Sequence, residues 1–243
     1  MNNTPKILHL ETSTEVCSVA ISQADKILAS RDSLSGFEHS AKGTLLVQAC
    51  LAEANLKMED LAAVSISEGP GSYTGLRVGF AMAKGFCYAY DLKLICIPTL
   101  LALAEGFNSE KDTAVITPML DARRMEVYAA SYNRSGEELR ATEAVILSEE
   151  KLNNYYGGNA VNVFVGDGAH KVEPWLRVGR DRIVKKGCNA ADQRIWAHRK
   201  YIKSVFSDIA YSIARGIPGI GFHTFLKSIL CYIGQYDIGS FCC

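Results

Sequence analysis

At 243 residues, with 48% apolar and 21% charged residues, the chain has enough material for one large globular domain or two small ones. Lys plus Arg and Asp plus Glu both number 26, so the formal charge is zero, which excludes a protein that gathers an extended polyanion by surface charge alone. No run approaches the ~18 apolar residues of a membrane helix, and residues 1–6 lack the basic and apolar regions of a signal peptide, so a cytoplasmic location is expected. Of the eight cysteines, Cys17, Cys50, Cys87 and Cys96 lie far apart in apolar surroundings and read as buried reduced thiols.

Strands are expected over residues 7–10, 16–22 and 26–30, with turns at 12–15 and 23–25. The first hairpin carries Glu11, Thr12, Ser13 and Thr14 at its tip, where hydroxyls satisfy the turn backbone or cap a phosphate. A helix over 39–55 follows, with Leu45, Leu46, Ala49, Ala52 and Leu56 forming an apolar stripe. His39 opens it. The residue one turn further on is Gly43, so the two-histidine spacing of a helical metal site is missing, and no metal is expected.

Residues 61–67 form a short apolar strand that stops at a Gly-Pro-Gly turn, and a helix over 73–90 begins behind Ser72, placed as its N-cap. Such a turn aims backbone N–H groups at a ligand, yet neither a Walker Gly-Lys-Ser/Thr nor the Gly-x-Gly-x-x-Gly spacing is present. Gly75, Gly79 and Ala83 recur every four residues on one face. Since each glycine costs about 1 kcal/mol against alanine in a helix, the stripe implies a close approach, within the fold or to another subunit.

A strand over 94–97 and a short helix over 99–107 complete an α/β run with parallel pairing. The polar stretch 106–112 is the expected boundary between an N-terminal subdomain (1–107) and a smaller C-terminal one (108–243). The second half restarts with strands at 113–119 and 126–131 around Asp121-Ala-Arg123-Arg124, echoing the first hairpin as a duplicated fold would. A strand at 145–147, a short helix behind Ser148 and a strand at 162–165 lead into the Gly166-Asp167-Gly168 turn.

The segment Glu68-Gly-Pro-Gly-Ser-Tyr-Thr-Gly-Leu-Arg-Val-Gly-Phe-Ala-Met-Ala-Lys-Gly85 closely resembles the TsaB (YeaZ) family, which acts in bacterial synthesis of threonylcarbamoyladenosine in tRNA. Ile7-Leu-His-Leu-Glu-Thr-Ser-Thr14 and Met119-Leu-Asp-Ala-Arg-Arg-Met-Glu-Val-Tyr128 agree with it in the same order. The resemblance implies a two-lobed α/β fold of the actin-like ATPase and ribonuclease H-like class (ASKHA), with mixed sheets flanked by helices. It implies a non-catalytic scaffold that binds the catalytic subunit TsaD, with the ATPase TsaE as a further partner. A homodimer is expected when the chain is alone, and tRNA is reached only through the complex. The helices at 39–55 and 73–90 would make the contact, giving His39, Leu46, Gly75, Gly79 and Ala83 as interface residues. Glu11, Thr12, Ser13, Asp121, Arg123, Gly166 and Gly168 would be the candidate nucleotide-binding positions, with ATP or ADP at the interface with TsaD and nothing tightly bound. No catalytic residue is assigned. Two other classes stand beside this one: a glycoprotease-type metallopeptidase, and a small-molecule kinase or ATPase of the sugar-kinase superfamily. The tail from about residue 212, rich in Ile and Gly, departs from the family and reads as the product of a shifted frame or sequencing fault, as does 185–195.

Overall fold

The computed structural model describes residues 4–24, 26–33, 39–107, 115–155, 161–178 and 181–184. The chain divides into two compact units, Met1–Ile202 and Lys203–Cys243, and every described residue belongs to the first. The expectations about the tail and about 185–195 lie outside the described residues.

Two five-stranded sheets carry the fold. In the first, β1 (Lys6–Glu11), β2 (Cys17–Gln23) and β3 (Lys26–Ser33) form an antiparallel meander. The strands β4 (Ala63–Ser67) and β5 (Lys93–Ile97) then add in parallel on the other side of β1, giving the order β3-β2-β1-β4-β5. The second sheet repeats this plan. Its meander is β6 (Val115–Asp121), β7 (Glu126–Tyr132) and β8 (Glu138–Ile146), and β9 (Asn162–Val165) and β10 (Asp181–Val184) are parallel to β6, in the order β10-β9-β6-β7-β8. The expected duplication is therefore present strand for strand.

Alternation along the strands decides what each sheet face touches. Leu8, Leu10, Val19, Ile21, Val64 and Ile66 point to one side of the first sheet and are fully buried under the helices α1 (His39–Ala54) and α2 (Tyr73–Tyr90). The opposite face holds Ile7, Ala63 and Ile97 together with a polar row. In that row His9 meets Ser65 Oγ through Nδ1 at 2.7 Å and Ser22 Oγ through Nε2 at 2.6 Å, and all three are buried. The short helix α3 (Thr99–Glu105) is buried on every side: Ala102 packs on Ile7 and Ile97, while Leu100, Leu103 and Ala104 pack on Ile116, Leu120 and Val163 of the second sheet.

The β-strand over residues 138–146 is three times longer than the strand expected at 145–147. Its Glu, Arg and Ala content favours a helix, and only as an edge strand, exposed along most of its length, does that composition suit a sheet. The strand at 181–184 was not expected at all; four residues paired on one side leave almost no periodic signal.

The helix α2 shows why its glycines are there. Gly75, Gly79 and Ala83 are buried, and the two glycines face this chain's own hairpin. A Cβ at Gly75 would overlap the carbonyl oxygen of Thr12; one at Gly79 would overlap Thr12 Oγ1 and come within 2.9 Å of Ile66 Cδ1. The helix can lie this close only because those positions have no side chain. Gly85, on the same helix, has nothing near it. Gly79→Leu should therefore lower stability by about 1–3 kcal/mol in urea denaturation. Gly85→Ala should raise it by up to about 1 kcal/mol through helix propensity. Equal effects at the two sites would contradict the packing described here.

Candidate functional site

The two hairpin tips of the duplicated halves occupy equivalent places, but they are built differently. At the β1–β2 tip, Glu11 and Thr12 are fully buried and Ser13 is 2% exposed. Glu11 accepts hydrogen bonds from Ser13 N at 2.7 Å and from Ser67 Oγ. The Gly-Pro-Gly turn closes over the tip, with Ser72 N donating to Ser13 O at 2.6 Å, and Ser72 Oγ then caps α2 by accepting from Gly75 N at 3.2 Å. The hydroxyls of Thr12 and Ser13 are buried without a hydrogen-bond partner. The Gly-Pro-Gly turn and the first residues of α2 are pressed onto this tip: a Cβ at Gly71 would overlap the Ser13 carbonyl and one at Gly75 the Thr12 carbonyl.

The β6–β7 tip is open. Asp121, Arg123 and Arg124 are exposed, and both arginines hold left-handed backbone angles, φ 74° and 47°. That conformation costs about 1–2 kcal/mol per residue other than glycine, so the surroundings must enforce it. They do so through Asp121 and Lys171. The Asp121 Oδ1 atom accepts from Arg123 N at 2.5 Å and from Lys171 Nζ at 2.7 Å, and Lys171 Nζ also donates to the carbonyl of Glu126 at 2.9 Å. A single ammonium thus ties both strand ends of the tip to the 3₁₀ helix Ala169–Trp175.

The Gly166–Gly168 turn joins the same cluster. The amide of Asp121 donates to Asp167 Oδ1 at 3.0 Å and that of Gly168 to Met119 O at 3.1 Å. A Cβ at Gly166, whose φ is +119°, would overlap the Met119 carbonyl, so this turn is pressed onto β6. The structure therefore brings Asp121, Gly166 and Gly168 together and adds Asp167 and Lys171, while Arg123 joins through its backbone N–H and, with Arg124, lines the adjoining depression. Lys171 carried no signal in the sequence, because its partner is 50 residues away.

Burial pushes the Asp121 carboxyl up, but the hydrogen bonds from Lys171 and Arg123 N, with the Lys171 and His170 charges, outweigh it and hold the group below the usual carboxylate range. Beside the tip lies an open depression of about 470 Å³ lined by Ala122, Arg123, Arg124, Met125, Glu126 and Ile146. Among the described residues, no group of three or more His, Cys, Asp or Glu side chains is placed to hold a metal. The thiols of Cys17 and Cys50 are free and pushed up to about 11, mainly by burial.

The third candidate surface is the outer face of α1 and α2. The buried side of α1 is Gly43, Val47 and Cys50. Of the expected apolar stripe, Leu46 and Leu56 are half-buried and pack on the core, whereas Leu45, Ala49 and Ala52 are exposed at helical spacing. On α2 the exposed side carries Tyr73, Arg77, Ala81, Gly85 and Tyr88, with Tyr88 94% exposed and the Arg77 guanidinium 4.2 Å from the centre of the Tyr73 ring. Gly75, Gly79 and Ala83, expected on a partner surface, are instead buried within this chain, while Leu46 is half-buried with part of its side chain still accessible. His39 opens α1, but its side chain lies outside the described residues. No described helix is long and apolar enough to cross a membrane.

Comparison with known proteins places this geometry. Residues 33–219 match the family described as "TsaD: tRNA N6-adenosine threonylcarbamoyltransferase". The chain is 34% identical over 150 residues to the "tRNA threonylcarbamoyladenosine biosynthesis protein TsaB" of Escherichia coli, covering 59% of this chain and 63% of that protein. It is 30% identical over 176 residues to the protein of that name from Haemophilus influenzae, covering 68% and 73%. The chain thus spans a little under two thirds of the first relative's length. Among solved structures, "YeaZ from Pseudomonas aeruginosa" superposes with a TM-score of 0.69 at 24% identity, over 82% of this chain and 93% of that one. The (R)-2-hydroxyglutaryl-CoA dehydratase component A of Acidaminococcus fermentans gives 0.53 at 10% identity, over 82% and 100%. These likenesses show the fold, the two-lobed actin-like ATPase and ribonuclease H-like α/β architecture.

Lys171→Met should loosen the open tip in a pH-dependent way. A carboxyl whose folded pKa is depressed stabilises above its unfolded pKa, near ~4, and loses that contribution as pH falls through the folded value. The stability difference between wild type and Lys171→Met should therefore be largest near neutral pH and shrink below about pH 4. A difference that stays constant from neutral to acid pH would show that the Asp121 charge is not what Lys171 holds.

Proposed function

Because the chain belongs to the TsaB (YeaZ) family, we propose that it is a non-catalytic scaffold subunit in the synthesis of threonylcarbamoyladenosine at position 37 of tRNA, where it binds and supports the catalytic subunit TsaD. One observation carries this reading: the periodic apolar residues of α1 that do not serve the core, Leu45, Ala49 and Ala52, face outward beside the exposed Tyr73, Ala81, Gly85 and Tyr88 of α2. Helical pattern normally turns apolar positions inward, and an exposed apolar stripe on two packed helices is the signature of a surface that another helix pair covers. Large aromatics at its ends suit interface anchors, because Tyr buries much area with few rotamers to order. The same face serves a second copy of the chain when TsaD is absent. TsaE is a further partner in this reading.

The closed first tip supports the non-catalytic part. With Glu11, Thr12 and Ser13 covered by this chain's own turn, a nucleotide is expected only at the junction with TsaD. The zero net charge agrees with tRNA being held mainly by the partner.

Light scattering tests this directly. The wild-type chain mixed with TsaD, with and without ATP, should exchange from a homodimer into a one-to-one heterodimer. The double variant Leu45→Glu/Tyr88→Glu should weaken that association at least about tenfold by placing charges in a desolvated interface. Its melting temperature should stay unchanged, because both positions are exposed in the chain alone. Normal assembly of the variant would move the interface elsewhere. A chain that ignores TsaD yet binds ATP by itself would replace the scaffold with the kinase reading.

A further inference from the structure

Resting on the subunit reading above, we infer that the Arg123–Arg124 turn and the depression beside it form a contact for the phosphodiester backbone of the tRNA substrate. Among the described residues, these are the two arginines whose guanidinium groups have no partner. Arg31 pairs with Glu53, Arg77 stacks on Tyr73, Arg140 pairs with Glu143, Arg177 binds Asp181, and Arg134 and Arg182 are also engaged. Arginine is the residue that matches phosphate with a fixed fork of donors, and leaving two adjacent forks unsatisfied and exposed marks them for an anionic ligand.

Their presentation is fixed in advance. Both residues hold left-handed angles in a turn clamped by Asp121 and Lys171, so the guanidinium groups project from a rigid base rather than a flexible loop. The floor they overlook includes Met125 and Ile146, which are 43% and 71% exposed, and one carboxylate, Glu126. Two guanidinium groups over an apolar step suit a phosphodiester with its sugar or base alongside. An acidic protein surface would use the charges but not the apolar step. The chain as a whole is neutral, so a small, preorganised contact of this kind acts only when the complex has already brought the RNA close.

The test uses the assembled complex with TsaD and an unmodified tRNA transcript, titrated at several salt concentrations. The variant Arg123→Asn/Arg124→Gly keeps residues that accept the left-handed backbone, so the turn is preserved. It should weaken binding roughly tenfold at physiological salt and lower the log–log salt slope by about 1.5, the release expected from two phosphate contacts. Arg123→Lys/Arg124→Lys should recover most of the slope, which a purely structural role would not. An unchanged affinity and slope would overturn the inference. So would a variant that binds tRNA normally once assembled but joins TsaD poorly, which would assign the pair to a protein contact. A wild-type chain that never joins TsaD would instead overturn the subunit reading, and this one with it.

Discussion

Everything in the first half depends on how closely helix α2 lies on the β1–β2 tip. The carbonyl and hydroxyl of Thr12 occupy the space that side chains at Gly75 and Gly79 would need, and Ser72 N binds Ser13 O at the same point. That contact sets the height of α2 above the sheet and so positions α1 beside it, with Met82 within 3.0 Å of where a Gly43 Cβ would sit. It also has a cost. The Thr12 and Ser13 hydroxyls are buried without partners, a penalty of about 1–3 kcal/mol each. The packing of Leu8, Leu10, Val64 and Ile66 beneath the helices is what offsets it.

The second half shows the same strand plan without that closure. Its tip is fixed from the side, by Lys171 reaching Asp121 and Glu126, rather than from above by a helix. Asp121, Arg123 and Arg124 stay in solvent as a result. A buried ammonium paired with one carboxylate is weak as a source of stability, but it is well suited to fixing register and backbone shape. The left-handed arginines are the visible consequence. One duplicated motif has thus produced a sealed joint in one lobe and an exposed, shaped turn in the other.

Much of this was legible in the chain. Strand–turn–helix punctuation gave α2 its bounds, 73 to 90, because Ser72 is a good N-cap and the Gly-Pro-Gly turn leaves no alternative. The doubling of strand, charged turn and strand announced the duplication. The direction of the helical faces was not legible. The stripe Gly75–Gly79–Ala83 has the same spacing whether it meets a hairpin or a second chain, and only the position of Thr12 decides. On α1 the run of leucines and alanines suggested the buried side, yet Gly43, Val47 and Cys50 are the residues that face the core, with Met82 of α2 packed over Gly43. Lys171 and Asp121 were invisible as a pair for a simpler reason: contacts between residues so far apart in the chain leave no periodic trace.

The inward turn of the small residues strengthens the case for an outer interface rather than weakening it. If the smooth stripe had faced outward, the apolar positions of α2 would all have been accounted for by one close helix contact. With the stripe spent on Thr12 and Ile66, the exposed Ala81 and Tyr88 of α2 and Leu45, Ala49 and Ala52 of α1 are not part of the core formed by the described residues, and Tyr73 meets only the exposed Arg77. Two neighbouring helices with unused apolar faces are costly to leave in water when polar residues would serve as well. The proposed covering partner is thus called for by residues that the core of the described chain does not use, a stronger footing than spacing alone.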